Sequence, residues 1–211
     1  MVVISTRKEI SLLGDLISLY GGGTPSKEKP EYWEGDIPWA TVKDLKKPIL
    51  LETQDSISKL GLAKSSSKMV EAGTIILATR MAVGRVSITD IDVAINQDLK
   101  AIVCSDKIDV KYLFYLLFSE EKYFNRVSSG ATVKGIKISH ITDMEIPLPP
   151  LAEQKKIAAI LDAADDLRQK DQQIIDHYTQ LGKSLFLEMF GDPVVNPMGW
   201  ESIHLSEISD Y

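Results

Sequence analysis

Hydrophobic positions fall into two regimes along the chain. Up to about residue 149 they come as short runs bounded by Gly, Pro and Asp. "IPWATV" (37–42), "GTIILATR" (73–80), "GRVSITD" (84–90) and "DVAINQDLKAIVC" (92–104) are rich in Val, Ile and Thr and predict strands. One interval changes period. "DVKYLFYLLFSEEKYFNRV" (109–127) sets Leu113, Leu116, Leu117, Tyr123 and Phe124 at helical spacing, with Asp109 placed as N-cap, and predicts one helix. "SSGATVKGIKIS" (128–139) is small, hydroxylated and glycine-bearing, with two lysines, and predicts a loop.

The second regime begins at "IPLPPLAEQKK". Pro147, Pro149 and Pro150 cannot lie inside a helix, but proline suits a helix start, and Glu153 in the first turn complements the helix dipole. No proline follows until Pro193, and Gly182 is the one glycine before Gly191. Ile160, Ala164, Leu167, Asp171, Ile174, Tyr178, Leu181 and Leu185 step by 4-3-4-3-4-3-4, a heptad seam, and Ile157, Leu161 and Ile175 widen it. About 38 residues at about 1.5 Å each predict a helix on the order of 57 Å long. Its apolar stripe calls for another helix, unless the helix folds back over its own domain. Asp171 on the seam is unfavourable unless paired, and is placed to help set register.

Gly191 and Pro193 break that helix. Beyond them, "LSEISDY" (205–211) places Leu205, Glu207 and Ile208 as "LGDLISL" (13–19) places Leu13, Asp15 and Leu16. The sequence stops where "GGGTPS" would come next, the pattern expected of a tandem repeat cut short. The expected class is α+β: a mixed domain over 1–149, a long helix over 150–190, and the start of a second domain over 191–211.

Composition adds constraints. A hydrophobic fraction of 44% in 211 residues is that of a chain that buries a real core. A single cysteine, Cys104, leaves no disulfide framework and fits a reducing compartment. Arg7, Lys8 and Glu9 interrupt the N-terminus, which does not read as a signal peptide, and the densest apolar run, "YLFYLLF" (112–118), falls far short of the roughly 20 residues of a membrane span. A soluble, cytoplasmic protein without membrane partners is expected. The net charge of −6 lies wholly in 151–211, with 5 Lys+Arg against 11 Asp+Glu, whereas 1–150 is neutral at 19 against 19. Lysines 43, 46, 47, 59, 64 and 68 face only Asp44, Glu52 and Asp55 within that interval. Such a stretch is either a solvated surface or a basic face able to bind phosphates.

No catalytic constellation is visible. "GGGTPSK" lacks the spacing of a nucleotide-binding P-loop. His140, His177 and His204 lie far apart with no ligand spacing, so no metal site is expected. His177 reads as a surface residue and Cys104 as core. "NPMG" (196–199) is not the motif of an adenine methyltransferase, and no glycine-rich cofactor fingerprint occurs.

Four stretches together narrow the reading. "GGGTPS…YWEGDIPWATVKDL" (21–45), "IILATRMAVGRVSI" (75–88) with "INQDLKAI" (95–102), "SSGATVKGIKISHITDMEIPLPPLAEQKKIAAIL" (128–161) and "FLEMFGDP" (186–193) resemble the specificity subunits of type I restriction–modification systems. Met81 stands where such proteins commonly carry glycine. The resemblance implies a non-catalytic target-recognition domain for double-stranded DNA followed by a spacer helix. A full-length subunit has two of each, the helices packed antiparallel, and reads a split DNA target. Modification subunits carrying S-adenosylmethionine and the methyl-transfer chemistry would clasp it, and restriction subunits would join; no cofactor is implied in this chain. With one domain and one helix, two copies are expected to pair their helices antiparallel through Ile160, Ala164, Leu167, Ile174, Tyr178, Leu181 and Leu185. A two-fold homodimer of that kind would address a gapped palindrome.

On this reading Thr24, Ser26, Lys27 and Lys43 are candidate DNA contacts, and the three glycines at 21–23 let the backbone turn beside a phosphate. Thr79, Arg80 and Arg85 form a candidate DNA edge, with arginine suited to guanine. Gln97 could read adenine or be a buried strand amide, and Lys134 and Lys137 fit phosphates. Base reading is expected mainly in 44–72, on residues not assignable from sequence. Trp33, Trp39 and Ile37 are expected to anchor their loop rather than stack on bases. Two other classes stay open: a coiled-coil dimer whose head uses Trp33 and Trp39 on a sugar or peptide, and an enzyme with a dispersed site.

Overall fold

The computed structural model describes residues 9–130, 132–201, 203 and 204. The repeat echo at 205–211, Arg7 and Lys8 lie outside the described residues. The chain divides into two compact units, Met1–Ile160 and Leu161–Tyr211.

The first unit is built on three sheets. The largest orders β2 (Ile17–Gly21), β10 (Leu99–Cys104), β7 (Ile75–Ala78), β8 (Val86–Thr89) and β4 (Ile49–Leu50). A four-stranded sheet orders β5 (Asp55–Ile57), β3 (Ile37–Ala40), β9 (Val93–Ile95) and β6 (Lys68–Val70), and β1 (Ile10–Leu12) pairs with β11 (Glu145–Pro147). Neighbours are antiparallel except β4 with β8 and β3 with β9. The helices of this part are α1 (Lys59–Ala63), α2 (Val110–Ser119), α3 (Glu121–Val127) and α4 (Ser139–Thr142). The α+β class expected from the sequence is the one observed.

The unbroken apolar run in "GTIILATR" is explained by β7, which is buried on both faces. Ile75 and Leu77 enter a core with Leu13, Leu113, Leu117, Phe124 and Ile141. Ile76 and Ala78 enter a second core with Ala40, Val70, Val93, Ile95 and Leu99. Each fully buried Ile or Leu contributes about 1.5–3 kcal/mol through removal from water.

Two expected elements are divided. The strand over 92–104 is two strands in different sheets, because Asn96 and Asp98 build a turn. Asn96 Oδ1 accepts from the Asp98 N–H at 3.0 Å, and Asn96 Nδ2 donates to Asp98 Oδ2 at 3.2 Å. The helix over 109–127 is α2 and α3. Asp109 does cap α2, accepting from the Tyr112 N–H at 3.0 Å. Ser119 Oγ then donates to the Leu116 carbonyl and Glu120 leaves helical geometry at φ −93° and ψ 11°, which ends α2 before α3 buries Phe124.

The helix α5 (Leu151–Phe190) has 40 residues, about 60 Å at 1.5 Å per residue. Its start is fixed by Gln154, which is fully buried. Its Oε1 accepts from the Asp109 N–H at 2.8 Å, and its Nε2 donates to the Lys107 and Pro149 carbonyls at 3.0 and 2.8 Å. Three turn and helix-start groups are thus satisfied by one side chain, and Ala158 one turn on packs into the first core. Among the described residues no helix is long and apolar enough to cross a membrane.

In the second unit the seam is exposed: Leu167, Ile174, Tyr178, Leu181 and Leu185 keep 47–70% of their surface. His177 is exposed as well. Asp165 accepts from Arg168 at 2.8 Å and Gln169 at 2.7 Å; slight burial pushes its carboxyl up, but these bonds and the Arg168 charge outweigh that and hold it below the usual range.

Gln154→Ala is expected to destabilise the protein by about 1–3 kcal/mol, because buried groups lose their partners, and a urea melt measures it. Cys104 is half-buried, and burial with the Asp109 charge pushes its thiol up to about 11. Folded protein should therefore react with a thiol reagent at pH 8 about a hundredfold slower than denatured protein, the gap closing as pH approaches 11.

Candidate nucleic-acid interface

The strand register gathers the chain's loops at one rim. In β10, Lys100 lies opposite Gly21 of β2 and Leu99 opposite Ala78 of β7. In the neighbouring sheet Ala40 lies opposite Ile95, where β3 and β9 run in the same direction. The segments that leave β2, β3 and β7 therefore meet the turn at 96–98. The hairpin from β7 to β8 closes at this rim, with Leu77 opposite Val86. The loop after α3 closes on itself through an isolated bridge of Ser129 to Gly135 and joins the rim through one of Gly135 to Arg80.

Each segment is held by specific bonds. The Gly23 N–H donates to the Ile95 carbonyl at 3.1 Å. Trp39 Nε1 donates to the Gly23 carbonyl at 3.2 Å and to Ser67 Oγ at 3.0 Å, and Ser67 Oγ donates to the same carbonyl at 2.5 Å. Trp33 packs edge-on to Trp39 with ring centroids 5.0 Å apart, and its Nε1 donates to the Ser26 carbonyl at 3.1 Å. Both indoles anchor the loop. The glycines at 21–23 answer a different need from the expected one. None has a positive φ; instead a Cβ on Gly22 would collide with the Ile95 carbonyl, and one on Gly23 with Ser66. They permit close approach of backbone.

Thr24 Oγ1 donates to Gln97 Oε1 at 2.5 Å, joining two expected site residues. Gln97 is exposed at the turn and is not a strand amide. Ser26, Lys27 and Lys43 are exposed. Lys43 sits on a loop closed by Asp44, whose carboxylate accepts from the Thr41 N–H at 2.8 Å and the Gln54 N–H at 3.0 Å. Beside it lies a cavity of about 190 Å³ lined by Lys43, Lys46, Lys47 and Gln54 among others.

Thr79 departs from expectation. It is 4% exposed, and its N–H and hydroxyl both donate to the Asp98 carbonyl, so it fixes the loop and does not offer its hydroxyl outward. Arg80 is outward: half of its side chain is exposed, with Nη1 at 3.5 Å from the nearly buried Asp98 carboxylate. Asp98 was not legible as a site residue, although a polar "NQD" inside an apolar run carries the signal. Arg85, Lys134 and Lys137 are exposed, and the Lys134 carbonyl accepts from the Met81 N–H at 3.0 Å. The rim thus presents Lys, Arg, Gln and Thr groups suited to phosphate oxygens and base edges. Among the described residues no group of three His, Cys, Asp or Glu side chains converges to hold a metal ion.

Comparison with known proteins places this architecture. The chain is 31% identical over 222 residues to the type I restriction enzyme MjaIX specificity subunit of Methanocaldococcus jannaschii, covering 95% of this chain and 51% of that protein. It is 33% identical over 166 residues to the EcoR124I/EcoR124II specificity subunit of Escherichia coli, covering 75% and 41%. A chain from a type I restriction–modification assembly superposes with a TM-score of 0.68 at 21% identity, over 87% of this chain and 45% of that one. The chain spans about half the length of the curated relatives it matches. Residues 7–177 match the type I restriction modification DNA specificity domain, and the chain belongs to that family.

Proposed function

We propose that this chain is a non-catalytic DNA-recognition subunit of a type I restriction–modification system, in which the rim reads one half of a split target. The carrying observation is the convergence of Thr24, Lys43, Arg80, Arg85, Gln97 and Lys134 on that rim, in a chain of this family. Lys27, Lys43, Lys134 and Lys137 serve phosphates, and Arg80, pre-positioned by Asp98, addresses a base edge. Its partners are double-stranded DNA, the modification subunits that supply S-adenosylmethionine and methyl transfer, and the restriction subunits. It works in the cytoplasm.

The exposed heptad stripe supports a further element of this reading: two copies pair their α5 helices antiparallel. The two rims then face DNA as inverted copies, and the target is a palindrome with a fixed gap.

Selection from a random duplex pool at fixed salt, with the chain alone and with modification subunits, tests the role. A gapped inverted motif is expected; a lone half-site removes the dimer, and no enrichment in either arm removes DNA recognition. Arg80→Ala should relax preference at a single base pair, at about 1–3 kcal/mol, while equal weakening on all duplexes assigns Arg80 to phosphate. Light scattering at micromolar concentration should give a dimer for the native chain and a monomer for Ile174→Asp; a native monomer overturns the pairing.

A further inference from the structure

We infer that Met81 is a specificity-determining contact, its thioether side chain resting on the methyl edge of a thymine beside the base pair addressed by Arg80. This rests on the DNA-reading role proposed above.

Met81 has φ 63°, in the left-handed region that glycine enters freely. Among the described residues the other non-glycine with positive φ is Asn196, a type that tolerates it. Met81 is 62% exposed and lies in none of the hydrophobic cores. Folding therefore gains nothing from methionine here: it strains the backbone and shows apolar surface to water.

The surrounding bonds hold the conformation in place. Thr79 is bonded to Asp98 on one side, and its carbonyl accepts from the Ile136 N–H at 2.9 Å. The Met81 N–H reaches Lys134, and the Gly84 and Arg85 N–H groups close the tip on Ala78 and Ala82 at 3.0 and 3.1 Å. A strained residue in an over-determined loop marks a position selected for contact.

The chemistry of the contact follows from the neighbours. Arg80 and Arg85 flank Met81 in sequence and are exposed on the same hairpin. Guanidinium groups take base-edge or phosphate acceptors, and an unbranched thioether takes an apolar partner of adaptable shape. Among the base edges in the major groove the apolar group is the C5 methyl of thymine.

The test selects sites for the full chain with modification subunits, in native and Met81→Gly forms, then replaces each thymine of the selected site by deoxyuridine. One replacement should weaken the native protein about fourfold, the worth of a buried methyl group, and leave Met81→Gly unaffected. Met81→Gly should also melt at the same or a higher temperature, which excludes misfolding as the cause. Identical deoxyuridine profiles for both forms, or no sensitive thymine in the native profile, overturn the inference while leaving DNA recognition intact. Failure of both forms to select any motif overturns DNA recognition and this contact with it.

Discussion

Because β10 is paired along both edges, the ends of its neighbours have no freedom to separate. Hydrogen bonding to β2 on one side and β7 on the other fixes register to the residue. A slip by one position would turn every buried side chain of β10 toward the opposite face. The turn that feeds β10 is locked in addition by Asn96 and Asp98, which satisfy one another before Asp98 reaches Thr79 and Arg80. The rim inherits its geometry from this frame. Its loops are irregular, yet those that leave β2, β3, β7 and β9 begin at strand ends whose positions the sheets dictate.

The sequence made the frame legible where one force dominates. An unbroken apolar run marked β7, apolar and hydroxylated residues in alternation marked β8, and the heptad steps marked α5, because burial leaves a readable period. It was less legible where short polar side chains decide. Asn96 and Asp98 divide a strand and Ser119 ends a helix through bonds that no periodicity announces. Strands of two or three residues, such as β4 and β6, are too short to show a pattern.

The candidate site follows the same division. Exposed charges such as Arg80, Arg85 and Lys134 could be named from residue type and context. Thr79 was misplaced because its hydroxyl has the chemistry of a phosphate contact and the structure uses that chemistry inward, on Asp98. The glycines at 21–23 were assigned turning freedom, and the packing uses their missing side chain instead. In both cases the residue type was informative and its partner, distant in sequence, was decisive.

Gln154 divides α5 energetically. The turns around it are welded to Asp109, Lys107 and Pro149, so their amides can exchange with solvent deuterium only when the domain opens. From Leu161 onward the helix holds itself by local propensity and single-turn contacts such as Asp165 with Arg168. One continuous helix therefore contains a slow-exchanging root and a fast-exchanging shaft, and a protease acting on the unpaired chain will find its first cuts in the shaft.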